Sequence, residues 1–210
     1  SDILFDPDSN RSVVAYRDTS NSDIGTANVI QSTGTAGSPT VTIGSDVTFD
    51  GTDDCADVAM TYDTENNKVF ICYVNTSDTK FRGTIGTVTA GTNSISFAGT
   101  ADVLDYSSAP GGHDVSYNTD KGLIHFGFRD ADSSNYYKTR VITPGASSFV
   151  AGTSDDGVNQ ANSLSSGSIS YGPGFGHVTA LAGDGNSNKL QYEHRFYLRT
   201  STTNLTDGNF

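Results

Sequence analysis

The chain has 210 residues, 34% of them hydrophobic, with 23 glycines, five prolines and a formal charge of −12. That is enough apolar and glycine content for a packed core, while the negative charge repels a nucleic-acid backbone or an anionic membrane surface and suits cations. No run approaches the roughly 18 apolar residues of a membrane-spanning helix, and Ser1-Asp2-Ile3 carries neither a basic nor an apolar leader region, so membrane insertion is not expected and any export signal lies outside this stretch. Polar positions are filled by Ser, Thr, Asn, Asp and Gly rather than Glu, Lys, Leu and Ala, a mixture that favours strands and turns and predicts almost no helix.

From the N-terminus, Ile3 and Phe5 share one face of a short strand, here strand A. A polar turn, Asp6-Pro7-Asp8-Ser9-Asn10, leads into strand B, whose alternate positions are Ser12, Val14 and Tyr16. Strand C follows near 24–30 and strand D around 40–44. The same order then returns. Met60 and Tyr62 end a second strand A, Val69, Ile71 and Tyr73 alternate in strand B, and strands C and D fall near 81–89 and 94–99. In the third round Val115 and Tyr117 precede Ile124, Phe126 and Phe128, with strands C and D near 136–142 and 147–152. The fourth is degenerate: Ile169 and Tyr171, a weak strand B through Val178, Ala180 and Ala182, strand C near 190–198 and a poorly defined strand D near 203–210.

The leading aromatics at 5, 62, 117 and 171 are each followed thirteen residues later by Asp18, Asn75, Asp130 or Asp184, and the first two rounds align without a gap over this span. This is an internal repeat of about 55 residues, with units at approximately 1–54, 55–111, 112–165 and 166–210. Four antiparallel strands per unit, with radial repetition, describe a blade. The expected fold is therefore an all-β, four-bladed β-propeller of four-stranded antiparallel blades. Part of a larger propeller and a β-solenoid are the alternatives, the solenoid being disfavoured because each unit holds its own meander. The two cysteines fall in one hairpin. Its register sets Cys72 opposite Val58 and Cys55 opposite Asn75, about three residues apart, which favours two separate thiols over a disulfide.

The stretch from Val13 through Ser22, then Gly25-Thr26-Ala27, Thr42-Ile43-Gly44 and Val47-Thr48-Phe49 resembles repeats of large structural and tail-fibre-like proteins of marine bacteriophages, as does the closing Thr203-Asn204-Leu205-Thr206-Asp207-Gly208-Asn209-Phe210. The resemblance spans all four units and is sharpest in the first three. It implies a virion or extracellular-surface setting and a chain excerpted from a longer one.

Asp18, Asn75, Asp130 and Asp184 open the B–C loops, which a propeller gathers on one face. They have two readings: a repeated set of oxygen ligands for Ca²⁺ or sugar hydroxyls, and, more ordinarily, turn residues whose side chains bond their own backbone. The turn after strand A lacks the complete Asp-x-Asp-x-Asp-Gly loop of a calcium site, so turn chemistry is the better reading there as well. The histidines His113, His125, His177 and His194 have no zinc spacing, and no metal site or obligate cofactor is assigned. No Gly-x-Ser-x-Gly elbow or carboxylate pair stands out, and no catalytic residue is assigned. Tyr136 and Tyr137, in a polar context, are candidates for stacking on sugar rings, with packing between blades the more ordinary reading. Together with the resemblance, these features predict a non-enzymatic structural and recognition module of a phage virion appendage. Its partners would be a host-surface glycan or protein, other virion proteins or copies of itself. A lectin-like or calcium-binding surface module of a bacterium and a glycan-active propeller enzyme are the alternatives.

Overall fold

The computed structural model of the chain describes residues 1–51, 54–105, 111–130, 132, 136–155, 164–172, 177–184 and 190–196; the side chains of Gly111, Tyr136, 153–155, 164–166 and 177–196 are outside that description. The fold is all-β, in antiparallel sheets that follow one another along the chain. The first sheet holds β1 (Asp2–Asp6), β2 (Arg11–Asp18), β3 (Ile24–Thr35), β4 (Ser38–Ile43) and β5 (Val47–Asp50). The second holds β6 (Cys55–Asp63), β7 (Lys68–Asn75), β8 (Lys80–Thr89) and β9 (Ser94–Asp105). The third is β10 (Gly111–Asn118), β11 (Leu123–Asp130), β12 (Tyr136–Pro144) and β13 (Phe149–Asp155), and the fourth is β14 (Leu164–Gly172), β15 (His177–Asp184) and β16 (Leu190–Phe196). The fourth-unit strand D expected near 203–210 lies outside the described residues.

Every strand but β5 pairs with its sequence neighbour, because the turns are chemically encoded. Asp6 Oδ1 accepts the amides of Asp8 and Ser9 (3.0 and 3.2 Å), Asp63 Oδ1 those of Glu65 and Asn66 (3.0 and 3.1 Å), and Asn118 Oδ1 those of Asp120 and Lys121 (3.0 and 3.1 Å). Asn10, Asn67 and Gly122 then occupy the same position in successive units with φ of 53°, 54° and 65°, the left-handed conformation that Asn and Gly tolerate best. One departure concerns strand D of the first unit, expected as a single strand. It is split into β4 and β5, which pair with the outer and inner halves of β3, with the Asn28 amide bonding Gly44 O (3.1 Å) and Asp46 (2.6 Å) across the break.

Alternation sends the two faces of the second sheet to different neighbours. Val69, Ile71 and Tyr73 of β7 join Met60 and Tyr62 in a core with Val13, Ala15, Ala27 and Val29 of the first sheet. Phe70, Cys72 and Val74, on the other face of β7, join Val115, Tyr117, Ile124, Phe126 and Phe128 of the third. Both clusters are almost wholly buried, each large side chain contributing roughly 1.5–3 kcal/mol. Phe81 meets Phe126 edge-on at 5.1 Å, and Phe126 stacks on Phe128 at 4.9 Å.

The innermost strands of successive sheets lie side by side and are joined by side chains rather than by a ladder. The amide of Met60 donates to Asp2 Oδ2 (2.7 Å), that of Tyr117 to Thr61 Oγ1 (3.0 Å), and those of Ile169 and Tyr171 to Asp114 Oδ2 and Ser116 Oγ (3.0 Å each). Counted from the leading aromatic of each unit, the acceptor sits three residues or one residue before it. Where that position is apolar, at Leu4 and Ala59, no such bond forms, and the Val115 amide takes its own neighbour Asp114 Oδ1 instead (2.9 Å). The outer rims also touch: a Cβ added at Gly99, whose φ is +66°, would lie 2.3 Å from Ser147 O of the third sheet. Only glycine combines that conformation with that approach.

Candidate functional site

The repeat-equivalent positions Asp18, Asn75 and Asp130 each end a strand B and turn back on the chain. Asp18 Oδ1 accepts the amide and hydroxyl of Ser20 (3.0 and 2.6 Å). Asn75 Oδ1 accepts the amides of Ser77 and Asp78 (3.1 and 3.3 Å), while its Nδ2 donates to Asp50 Oδ2 (3.2 Å) in a buried pair. Asp130 Oδ1 accepts the Asp132 amide (3.0 Å), and its other oxygen pairs with Lys138 Nζ at 2.5 Å. These are turn bonds, the ordinary reading of the position. Among the described residues, no three His, Cys, Asp or Glu side chains are grouped so as to hold a metal ion. Asp184 ends β15, but its side chain lies outside the described residues.

Tyr137 takes the packing reading, which corrects its place among the sugar-stacking candidates. Its polar sequence context suggested an exposed stacking face, yet it is 0% exposed. The ring is sandwiched where two side chains are missing: a Cβ at Gly127 of its own sheet would lie 2.1 Å from the Tyr137 hydroxyl, and a Cβ at Gly167 of the next sheet 2.1 Å from the ring. It is a packing residue between sheets, and burial pushes its phenol pKa up. Tyr136 begins β12 opposite Asp130, and its side chain lies outside the described residues.

The leading tyrosines carry polar chemistry that sequence reasoning missed. Burial first, then Asp6, raises the pKa of Tyr62; burial and Asp63 push Tyr117 up to about 12; burial and Asp120 raise Tyr171. The carboxylates that raise these phenols, Asp6, Asp63 and Asp120, all belong to the first hairpin turn of the preceding sheet, although the hydroxyls of Tyr62 and Tyr171 meet no hydrogen-bond partner. The signal was present in the sequence: a Tyr at this position recurs from the second unit on, whereas the first unit has Phe5.

The histidines are structural where they are described. His113 Nε2 donates to the Cys72 carbonyl (3.2 Å), and burial lowers its pKa. His125 is 1% exposed, accepts from the Asn118 amide at 3.4 Å, and is pushed by burial down to about 4. Cys55 pairs with Asn75 as expected, but Cys72 lies opposite Ala59 rather than Val58, because Asp63 rather than Tyr62 closes the hairpin opposite Lys68; a bulge between Ala56 and Ala59 then shifts the ladder by one residue and brings Cys55 to Asn75. Both thiols are free and buried, in cores on opposite faces of the second sheet, and burial pushes Cys55 up to about 12.

No family model matches the sequence, and no curated protein matches it. Among solved structures, the chain is similar to the crystal structure of a thermostable family-43 glycoside hydrolase, at 9% identity and a TM-score of 0.43, over 94% of this chain and 77% of that one.

Proposed function

We propose that the four sheets are blades of a β-propeller-type array, and that the chain is a non-enzymatic structural and recognition module of a virion appendage or extracellular surface. The observation that carries this reading is the use made of its polar side chains. Asp6, Asp63 and Asn118 at one turn, and Asp18, Asn75 and Asp130 at the other, accept backbone amides and hold hairpins. Carboxylates so engaged form a repeated frame. Catalysis needs one asymmetric constellation of acid, base or nucleophile, whereas equivalent units supply several similar weak sites and gain affinity by multivalency.

In this reading the loops between strands present the recognition surface, and a host-surface glycan or protein is the partner. A glycan array probed with the whole chain, with and without chelator, tests it. Binding that survives chelation and shows no turnover supports a recognition module held together by its own turns. Loss of binding on chelation would establish a cation role, absence of glycan binding would leave a protein partner, and turnover abolished by a single Asp or Glu substitution would overturn the non-enzymatic reading.

A further inference from the structure

The two ends of the array are unequal to its middle, and they complement each other. Met60 and Tyr62 are 6% and 8% exposed, Val115 and Tyr117 5% and 7%, because the preceding sheet covers them. Ile3 and Phe5 occupy the same two positions in the first unit and are 64% and 54% exposed. The register extends this bare patch across the sheet: Phe5 pairs with Ser12, Ser12 with Ile30, and Ile30 with Ile43, which is 63% exposed. Directly paired residues share a face. The corresponding row of the second sheet, Tyr62 to Val69 to Gly86 to Phe97, packs on the first sheet. The row from Phe5 to Ile43 is thus built like an interface and, among the described residues, is left open, whereas farther along the same face Thr26 and Asn28 are buried and Tyr16 and Asn28 bond Asp46.

The opposite end offers the matching half. Ser168 and Ser170 stand three residues and one residue before Tyr171, the positions from which Asp2, Thr61, Asp114 and Ser116 each accept an amide of the next sheet; both serines are exposed, and the Ser168 hydroxyl donates its proton to Asp114 Oδ2 of the preceding sheet (2.6 Å), which leaves its oxygen able to accept. At the bare end, the Ile3 amide donates to its own neighbour Asp2 Oδ1 (2.8 Å). That is the arrangement Val115 adopts where the preceding unit presents Ala59 and no acceptor.

We infer that the bare face of the first sheet is an assembly surface whose occupant is the β14 edge of a second copy of this chain, joined head to tail. Ser168 Oγ takes the Ile3 amide of the second copy, Ser170 Oγ takes its Phe5 amide, and the row from Phe5 to Ile43 is buried as its counterpart from Tyr62 to Phe97 is. Among the described residues none covers Ile3 and Phe5, which stay exposed. Such an interface is heterologous, so it builds rings or open arrays rather than a closed two-fold dimer. It goes beyond the recognition reading and does not depend on what the loops bind.

Sedimentation velocity of the chain across a wide concentration range tests the inference. The 22.1 kDa chain should shift to multiples of that mass as concentration rises. Phe5→Arg with Ile43→Arg should hold it at the monomer mass, and so should Ser168→Arg with Ser170→Arg. An equimolar mixture of the two variants, each with one intact end, should form a 1:1 dimer and nothing larger, which also shows that both variants are folded. Val150→Arg, at a 69% exposed apolar residue of the third sheet, should associate as the parent does. A parent chain monomeric at every concentration overturns the inference, as does a mixture that stays monomeric or a Val150→Arg variant that also loses association. Hydrogen-exchange protection of the Ile3 and Phe5 amides in a monomer likewise overturns it, because the cover is then the chain's own fourth sheet.

Discussion

Phe5 and Tyr62 hold the same place in successive copies of one repeat, and they live in different surroundings: one is more than half exposed, the other is at the bottom of a core. The strand, the turn and the register are the same in both units. What differs is the neighbour. A repeat encodes how a sheet is made and which side chains stand on each face, but the burial of a face is the property of a pair of sheets. Stability should therefore be distributed by position in the array rather than by residue type.

The sharpest way to break this comparison is to truncate both sides of it. Phe126→Ala, inside the stack with Phe81 and Phe128, should cost about 3–5 kcal/mol in chemical denaturation, while Phe5→Ala at dilute concentration should cost less than about 1 kcal/mol. Equal losses would mean that Phe5 is covered in solution.

Acidification comes next. His125 is held neutral by burial with its pKa near 4, below the ordinary 6.5, so the unfolded chain binds the proton first. The stability it allows is complete above about pH 6.5 and is lost as the pH falls to about 4, on the order of 3 kcal/mol in all. Urea midpoints measured over that window should fall for the parent and flatten in His125→Phe; parallel slopes would refute the assignment.

Smaller again is the bond between innermost strands. Thr61→Val keeps the shape and strands the Tyr117 amide, at a cost of about 1–3 kcal/mol, whereas Ser170→Ala at the open end should change monomer stability by less than about 0.5 kcal/mol. The smallest contrast separates turn from charge. Asp63→Ala should cost about 1 kcal/mol by thermal or urea unfolding, and Asp63→Asn less than about 0.5 kcal/mol, since Asn118 does the same work in the next unit. An Asn variant as damaged as the Ala variant would revive a cation at that turn.

The repeat, the four-strand order and the face shared by Ile3 and Phe5 were legible because they rest on local chemistry: period two, turn residues and a thirteen-residue spacing. The hairpin register failed by one residue at Cys72 because Asp63, not Tyr62, stands opposite Lys68 at the turn, and Cys55 met Asn75 only because a bulge, which leaves no compositional mark, shifts the ladder back. Tyr137 could be read either way from the sequence, for a different reason. Its pocket is the absence of two side chains, at Gly127 and at Gly167 on another sheet, and no window around residue 137 contains that fact. The strand-to-strand bonds were visible as stray polar residues in an otherwise apolar alternation, Asp2, Thr61, Asp114 and Ser116, but had meaning only once the innermost strands were seen side by side.

Those bonds have an evolutionary corollary. The group that each sheet offers its predecessor is a main-chain amide, which every residue except proline carries. A duplicated, deleted or imported unit therefore meets its new neighbour with the required donor already in place, and only one hydroxyl or carboxylate on the receiving strand has to be kept. Joints of this kind let the length of an array drift by whole units while each unit's surface loops diversify. They also forbid one substitution throughout: proline at Met60, Tyr117, Ile169 or Tyr171 would sever the array at that joint.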